Sequence, residues 1–248
     1  MPLSLKQSKK TLEPMRICPN ISASLPHRVL RTAALLVLIA VLGACATAGG
    51  GKSVHSSLTP IDGEPRGWLV ATIGVLGEQD KLPPFHGNYV NFRPVPEQGR
   101  ATGTFYAYIN DVVNAPREEL DVFEGGKLQK VIVIPLRPGQ YEITGGDMVT
   151  DVGVATASYR SAPGFSHPFE IRADQFTYVG SYLARVMMGE NAVGMTIRSG
   201  AYYEISDQQQ RDLALARARD PSLPKDAPVA DAIPRPPQLA AGMFLFVE

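Results

Sequence analysis

The sequence predicts a mainly β protein: an antiparallel β-sandwich with one α-helix in its C-terminal half, preceded by a signal peptide and a flexible tether. Two patterns indicate the sandwich. Val131–Ile134 is a continuous β-branched run, as expected of a strand buried on both faces. Phe176–Val186 alternates with a period of two, which is typical of a strand. A short apolar run near the N terminus, residues 33–41, indicates the leader.

The apolar run Ala33–Val41 follows Arg28 and Arg31. A positive segment before a short apolar segment is the pattern of a secretory signal peptide. A membrane-spanning helix needs ~20 apolar residues, so this run is too short to be one. We therefore predict that residues 1–44 form a cleaved signal peptide, with Met15 as an alternative start.

The leader ends in Leu42-Gly43-Ala44-Cys45, which resembles the bacterial lipobox. The resemblance implies cleavage between Ala44 and Cys45, a diacylglycerol on the cysteine thiol and a further acyl chain on its amine. Two or more acyl chains anchor a protein stably to a membrane. Ala46 follows, where an Asp would mark retention at the inner membrane, so the outer membrane is expected. The other interpretation is an ordinary signal peptide whose cleavage site precedes a cysteine.

Charge and cysteine content limit the function. The precursor has 24 basic and 24 acidic residues; the leader holds six of the former and one of the latter, which leaves 18 basic and 23 acidic residues and a net charge of −5. A nucleic-acid partner is not expected, because such proteins usually carry a basic patch. Cys18 lies in the leader and Cys45 would be acylated, so we expect neither a disulfide nor a cysteine metal site.

The mature chain divides into a tether and one domain. Residues 45–65 are rich in Gly, Ser and Thr without apolar periodicity, which predicts a flexible tether. Residues 66–248 are assigned to the β-sandwich domain. Its first strand is predicted over Gly67–Leu76, in which Trp68 either anchors the core or stacks on a ligand.

Further elements follow in order. A loop is expected over Lys81–Gly87, where paired prolines cannot join a central ladder. An acid-rich solvated loop is expected over Asn110–Gly126. Strands are predicted over Asn88–Arg93, Thr102–Ile109, Val152–Tyr159, Phe169–Ile171, Gln175–Val186, Ala192–Ile197 and Tyr202–Ile205. In these strands Val193, Met195 and Ile197 are expected to face inward, and Gly180 to mark a bulge or a close backbone approach.

The segment Leu136-Arg137-Pro138-Gly139-Gln140-Tyr141 predicts a type II turn with Pro138 and Gly139 at its centre. The pattern resembles a turn of prealbumin-like and carboxypeptidase-regulatory-like β-sandwiches. The resemblance implies that Leu136 and Tyr141 brace the corner.

A helix is predicted over residues 206–219. Ser206 and Gln209 have the spacing of a capping box, and Pro221 ends the helix. The Pro-rich segment 221–237 predicts a stiff extended connection. Met243–Val247 is too apolar to lie in solvent, so a last strand is expected there.

Candidate catalytic residues are few. After the leader the histidines are His55, His86 and His167, and neither an H-E-x-x-H nor a G-x-S-x-G motif occurs. Ser166 precedes His167, but adjacency in sequence is not the geometry of a nucleophile and its base. Tyr202 and Tyr203 are either exposed binding residues for glycan or peptide or members of a strand with one face in the core.

Together these features resemble Gram-negative bacterial lipoproteins of uncharacterised activity that carry one small β-sandwich. The resemblance rests on the lipobox, the Leu136–Tyr141 turn, the strand starting at Phe176 and the helix that ends before Pro221. The resemblance covers residues 67–223 and implies a fold and a cellular location.

We therefore expect a non-enzymatic binding or structural module facing the periplasm. Its expected partners are a membrane, through the lipid anchor on Cys45, and an envelope protein. No cofactor or metal is expected. The alternative is an envelope hydrolase using His86 or His167.

Overall fold

The computed structural model describes residues 51–77, 85–96, 100–109, 120–152, 155–235 and 243–247. Within these ranges two β-sheets pack face to face, and one α-helix lies on the outer face of the second. The predicted fold class, a mainly β sandwich with one helix in the C-terminal half, is confirmed. No helix in the described ranges is long and apolar enough to cross a membrane.

The first sheet has six strands, all in antiparallel pairs. They are β1 (Gly51–Val54), β3 (Gly87–Val95), β4 (Gly103–Tyr108), β7 (Gly139–Val152), β8 (Ala155–Arg160) and β9 (His167–Ile171). Their order is β1-β4-β3-β7-β8, and β9 pairs with the other end of β7. β7 therefore holds three neighbouring strands together.

The second sheet has seven strands. They are β2 (Gly67–Leu76), β5 (Val122–Glu124), β6 (Lys127–Leu136), β10 (Phe176–Glu190), β11 (Thr196–Ser206), β12 (Val229–Asp231) and β13 (Phe244–Phe246). The order is β13-β11-β10-β2-β6-β5, with β12 beside the start of β10. The pairs β10–β2, β10–β12 and β11–β13 are parallel, so this sheet is mixed. β2 and β10 can pair in parallel because the chain between them passes through the first sheet, which provides the long crossover that parallel neighbours need.

The core lies between the sheets. β2 and β6 pair over their full lengths, from Gly67↔Leu136 to Leu76↔Lys127, and the β-branched run of β6 lies in this ladder. The first sheet contributes Val90, Phe92, Phe105, Ile143 and Met148 to the same core. An aromatic cluster closes one side of it, with edge or stacked contacts among Phe105, Phe165, Tyr182, Tyr203 and Phe244.

A bulge in β10 changes which face its side chains occupy. Between Tyr178 and Ser181 the strand advances three residues while β2 advances two, and Gly180 has a φ of 110°. The extra residue turns the following side chains to the opposite face. Tyr178 therefore faces the helix, whereas Tyr182 faces Phe105 in the core. The predicted bulge at Gly180 is confirmed, and because of it the alternating residues before and after Gly180 do not share one face.

The helix, α1, spans Gln209–Arg219 and packs on β2, β6 and β10. The predicted capping box is wrong, because Ser206 is the last residue of β11 and Gln208 is the N-cap, with no side-chain cap bond. Asp207 accepts a hydrogen bond from the N–H of Gln209 instead. The helix ends before Pro221, as predicted. Its last residue, Arg219, donates to Asp121 at 2.7 Å and to the Val131 carbonyl at 2.8 Å.

The predicted tether over residues 45–65 is wrong from residue 51 onward. Gly51–Val54 is an edge strand that pairs with β4, and a 3₁₀ turn at Ser56–Leu58 follows. His55 accepts the N–H of Ser57 at the start of that turn. The side chain of Leu58 is only 2% exposed, and its carbonyl accepts the N–H of Arg137. This segment is ordered because Leu58 buries its side chain and residues 51–54 pair with the edge of β4. The remainder, residues 45–50, lies outside the described residues.

The predicted type II turn at Pro138–Gly139 is also wrong. Gly139 does not adopt a positive φ; it is the first residue of β7 and pairs with Ile171 of β9. Cross-strand pairing thus holds Gly139 in an extended conformation. The implied bracing does occur. Leu136 and Tyr141 are buried, and the Tyr141 hydroxyl donates to the Arg137 carbonyl at 2.8 Å.

The remaining predicted elements have mixed outcomes. The strand over Ala192–Ile197 is wrong: Val193, Met195 and Ile197 are exposed around the turn that joins β10 to β11. The acid-rich loop lies outside the described residues over 110–119, and β5 replaces its last part. The Pro-rich segment contains the short strand β12, and its residues 236–237 also lie outside. The last strand is confirmed as β13.

Candidate functional site

A polar groove of about 600 Å³ lies where β9, β10 and β12 meet. It exists because the residues of β10 before its bulge pair with β12, whereas those after it pair with β11. The segment after β11 leaves the sheet to form α1 and returns as β12. The charged and polar side chains that line the groove come from β9, β10, the turn between them and the chain around β12: His167, Glu170, Arg172, Gln175, Thr177, Asp231 and Arg235.

The charges of the groove are paired. Arg172 contacts Glu170 at 2.7 Å, and Arg235 contacts Asp231 at 2.6 Å. The hydrogen bond from Arg172 lowers the pKa of the Glu170 carboxyl. Thr177 donates to the Glu170 carbonyl at 2.8 Å and so fixes β10 against β9. Two ion pairs, each with one basic and one acidic side chain, favour a polar ligand with both donors and acceptors over one of a single charge.

His167 is a buried residue at the inner end of this groove. It is the first residue of β9, is 5% exposed, and its Nε2 lies 3.0 Å from the main-chain oxygen of Ala232, just after β12. Nε2 therefore carries the hydrogen and donates it. Burial lowers the pKa of the ring, which favours the neutral form. Its Nδ1 is buried without a hydrogen-bond partner among the described residues. The ring thus fastens a strand of the first sheet to a strand of the second.

The two histidines proposed as catalytic lie apart in the fold. His86 is half-buried directly before β3; its N–H donates to Val149 and its carbonyl accepts from Ile109. The hydroxyl of Ser166, next to His167 in sequence, donates to Glu142. The geometry therefore pairs Ser166 with a carboxylate and His167 with a main-chain carbonyl. Ala44 and Cys45, the predicted cleavage and lipidation sites, lie outside the described residues.

Tyr203 is a structural residue. It is buried, accepts the N–H of Tyr89 at 3.0 Å and donates to the Asp147 carbonyl at 2.9 Å, so it links β11 to β3 and β7. The interpretation of Tyr203 as an exposed ligand-binding residue is wrong, and its placement in a strand with one face in the core is confirmed. Tyr202 is half-buried.

A second polar cluster lies under the helix. Asp212 is fully buried and accepts the hydroxyl of Tyr178 at 2.7 Å and Arg211 Nε at 2.8 Å. The same tyrosine oxygen accepts the N–H of Gln208, the helix N-cap. These bonds join the helix start to β10 before its bulge. No group of three or more His, Cys, Asp or Glu side chains in the described ranges is arranged to hold a metal ion.

The groove is not apparent from the sequence. Its walls depend on β12, which lies within a Pro-rich segment that carries no strand pattern. The only available signal was the strong alternation of Phe176–Val186, which identifies a central strand without revealing its partners.

Comparisons with known proteins add little. No family model matches the chain, and comparison with curated proteins gives no match. Among solved structures, a leucine-rich repeat protein from Bacteroides thetaiotaomicron is similar over 49% of this chain and 14% of that one, with 13% identity and a TM-score of 0.26.

Proposed function

We propose that this chain is a lipid-anchored cell-envelope lipoprotein whose β-sandwich is a non-enzymatic binding or structural module. Cys45 carries the acyl chains, and the domain faces the periplasm from the outer membrane. The observation that supports the lipid anchor is the sequence Leu42-Gly43-Ala44-Cys45 directly after a short apolar run. The other cysteine, Cys18, lies in the leader that is removed, so the mature part of this sequence offers no disulfide partner for the Cys45 thiol.

Two features support a binding or structural role for the domain. The groove between β9, β10 and β12 offers paired donors and acceptors on strands of both sheets. His167 donates to a main-chain carbonyl and burial favours its neutral form, which suits a structural residue. The groove is the surface we assign to an envelope partner, because an ion-paired rim provides specificity.

Substitution of Cys45 tests the anchor. Cells would express the full chain with Cys45→Ser in the presence of an alkyne-bearing fatty acid. Labelling should disappear and the precursor should remain uncleaved at Ala44. The matched control is Cys18→Ser, which removes the leader cysteine and should leave labelling intact. Persistent labelling of the Cys45→Ser protein would refute the proposal.

A second substitution tests the membrane. In an enterobacterial host, Ala46→Asp should move the labelled protein from the outer-membrane to the inner-membrane fraction of a density gradient, because an acidic residue at this position marks retention. An Ala46→Ser control should stay with the wild type. An unchanged distribution of the Ala46→Asp protein would contradict the outer-membrane assignment.

A further inference from the structure

The β10–β11 hairpin carries an unusual concentration of exposed apolar side chains. Nine large apolar side chains are exposed in the described part of the chain, and five of them lie on this hairpin: Met187, Met188, Val193, Met195 and Ile197. Val193 is 75% exposed and Met188 is 60% exposed. Single exposed apolar residues are ordinary on protein surfaces, whereas a cluster marks an interaction site. We refer to residues 186–199 as the apolar ribbon.

The apolar ribbon extends beyond the body of the sandwich. β2 pairs with β10 only up to Ala184↔Val75, whereas β10 and β11 remain paired as far as Glu190↔Thr196. Asn191 closes the turn by accepting the N–H groups of Val193 and Met195. A two-stranded ribbon has no hydrophobic layer of its own to cover its apolar side chains, so these side chains face the surroundings.

The chain enters the sandwich at the same end. Gly51, the first residue of β1, pairs with Tyr106 near the end of β4. At the same end of the sheet, Gly87 of β3 pairs with Tyr108 of β4 on one side and with Val149 of β7 on the other. Arg198 of the ribbon donates to Thr150, the next residue of β7, at 3.4 Å. The start of β1 and the apolar ribbon therefore project from one end of the sandwich.

Phe123 adds to this end. Phe123 lies on β5 and is 51% exposed. The next residue, Glu124, pairs with Lys127 of β6, and Lys127 pairs with Leu76 at the end of β2. β2 and β10 run parallel, so the end of β2 points the same way as the ribbon. Six of the nine exposed apolar side chains thus lie at the end where the chain enters.

The distance to Cys45 is short. Five residues lie between Cys45 and Gly51, and the six residue-to-residue steps span at most ~20 Å when fully extended. Because residues 51–58 belong to the domain, a lipid on Cys45 would hold this end of the sandwich close to the bilayer surface. The ribbon itself carries one acidic residue, Glu190, and one basic residue, Arg198. Its tip therefore brings little charge to an apolar phase.

We infer that the tip of the apolar ribbon inserts into the lipid interface of the membrane that holds the Cys45 anchor, as a second attachment point that fixes the orientation of the domain. The inference rests on the proposed acyl anchor. Methionine and valine side chains at the tip bury apolar area in the boundary between headgroups and acyl chains, where binding strength scales with that area. With the ribbon and the anchor at one end, the groove around His167 faces away from the bilayer, because the groove lies at the opposite end, where β9 ends and β10 begins.

Fluorescence quenching in vesicles tests the inference. The mature chain has no other cysteine than Cys45, so Val193→Cys gives one thiol on the ribbon of the full acylated protein. Asp62→Cys is the matched control, because Asp62 is exposed between the 3₁₀ turn and β2 at the opposite end. Each thiol carries an environment-sensitive dye in vesicles of phosphatidylethanolamine and phosphatidylglycerol with brominated acyl chains. The dye at residue 193 should be quenched and shifted to the blue, and the dye at residue 62 should not.

The outcomes separate this inference from the anchor. Acylated protein with an unquenched dye at residue 193 would overturn the inference and leave the anchor intact. Absence of the acyl label from Cys45 would remove the premise and overturn both. A photo-crosslinker at Val193 that joins a protein rather than lipid in cells would also overturn it, since the ribbon would then bind a protein partner.

A double substitution gives a quantitative check. Val193→Asp with Met195→Asp should leave the circular dichroism spectrum and the thermal unfolding unchanged, because both side chains are exposed. The fraction of the acylated protein that crosslinks to lipid through a probe at Ala192 should fall about tenfold, since two charges are costly to place in the lipid interface. Equal crosslinking of the double variant and the wild type would contradict insertion.

Discussion

The hydroxyl of Tyr178 donates a 2.7 Å hydrogen bond to a carboxylate oxygen of Asp212, and both side chains are buried between β10 and the helix. Burial and the neighbouring carboxylate raise the pKa of Tyr178, so the hydroxyl keeps its hydrogen. The second carboxylate oxygen of Asp212 accepts from Arg211. The bond fixes the helix start to the strand that also forms the wall of the groove.

Removal of this hydroxyl should destabilise the protein measurably. We expect Tyr178→Phe to lower the free energy of unfolding by ~2–3 kcal/mol, because it leaves a buried carboxylate oxygen without its donor. The measurement is urea unfolding followed by circular dichroism. Tyr182→Phe is the control. Tyr182 is equally buried but donates to the neutral carbonyl of Val179, so this substitution should lower the free energy of unfolding by only ~1 kcal/mol. A smaller loss for Tyr178→Phe than for Tyr182→Phe would contradict the role of the charged acceptor.

Leu58 should behave as a core residue. We expect Leu58→Ala to lower the free energy of unfolding by ~2–5 kcal/mol, because it leaves a cavity at a site only 2% exposed. Ile61→Ala, three residues later and 64% exposed, should change it by less than ~0.5 kcal/mol. Thermal or urea unfolding of the two variants gives the comparison. Equal, small effects would mean that residues 51–58 are a tether after all.

The last strand provides a second matched pair. Phe244 is buried, and its ring centroid lies 4.6 Å from that of Phe165 and 5.6 Å from that of Tyr203. Phe244→Ala should therefore lower the free energy of unfolding by ~3–5 kcal/mol. The adjacent Leu245 is 50% exposed, and Leu245→Ala should cost well under 1 kcal/mol. Deletion of residues 243–248 should be at least as damaging as Phe244→Ala. Wild-type thermal unfolding of the truncated protein would refute the assignment of β13 to the core.

His167 should make stability depend on pH. Its pKa in the folded protein is lowered from the ordinary value, near 6.5, by burial. Between the folded and the unfolded pKa the unfolded chain binds a proton that the folded protein does not, so the contribution of His167 is present above pH ~6.5 and is lost as the pH falls through the folded pKa.

The pH dependence is measured as the change in urea midpoint between pH 7.5 and pH 5.5. We expect the wild type to lose stability over this interval and His167→Gln to lose less, because glutamine does not titrate. The Gln side chain keeps an N–H donor for the Ala232 carbonyl, which limits the cost of the substitution itself. An identical loss in both proteins would show that His167 is not the titrating group.

The sequence alone determined the strand content and the position of most strands, and it is also the basis of the predicted leader. These features depend on local patterns: a charged segment before an apolar run, β-branched runs such as Val131–Ile134, and proline after the helix. The predicted bounds of β2 were correct to the residue, because polar or proline-rich segments flank an uninterrupted apolar run. The pattern Met243–Val247 also identified a strand that lies far from its neighbours in sequence.

Tertiary structure decided the remaining features. The bulge at Gly180 turns Tyr178 towards the helix and Tyr182 towards the core, and alternation cannot reveal which residue is inserted. The edge of β4 orders a Gly- and Ser-rich segment that has no pattern of its own, and β9 holds Gly139 extended where a turn was predicted. Val193, Met195 and Ile197 have the apolar character of core residues, yet they are exposed because the paired β10 and β11 extend beyond β2. A sequence shows which side chains avoid water, but only the arrangement of the strands shows whether the protein itself covers them.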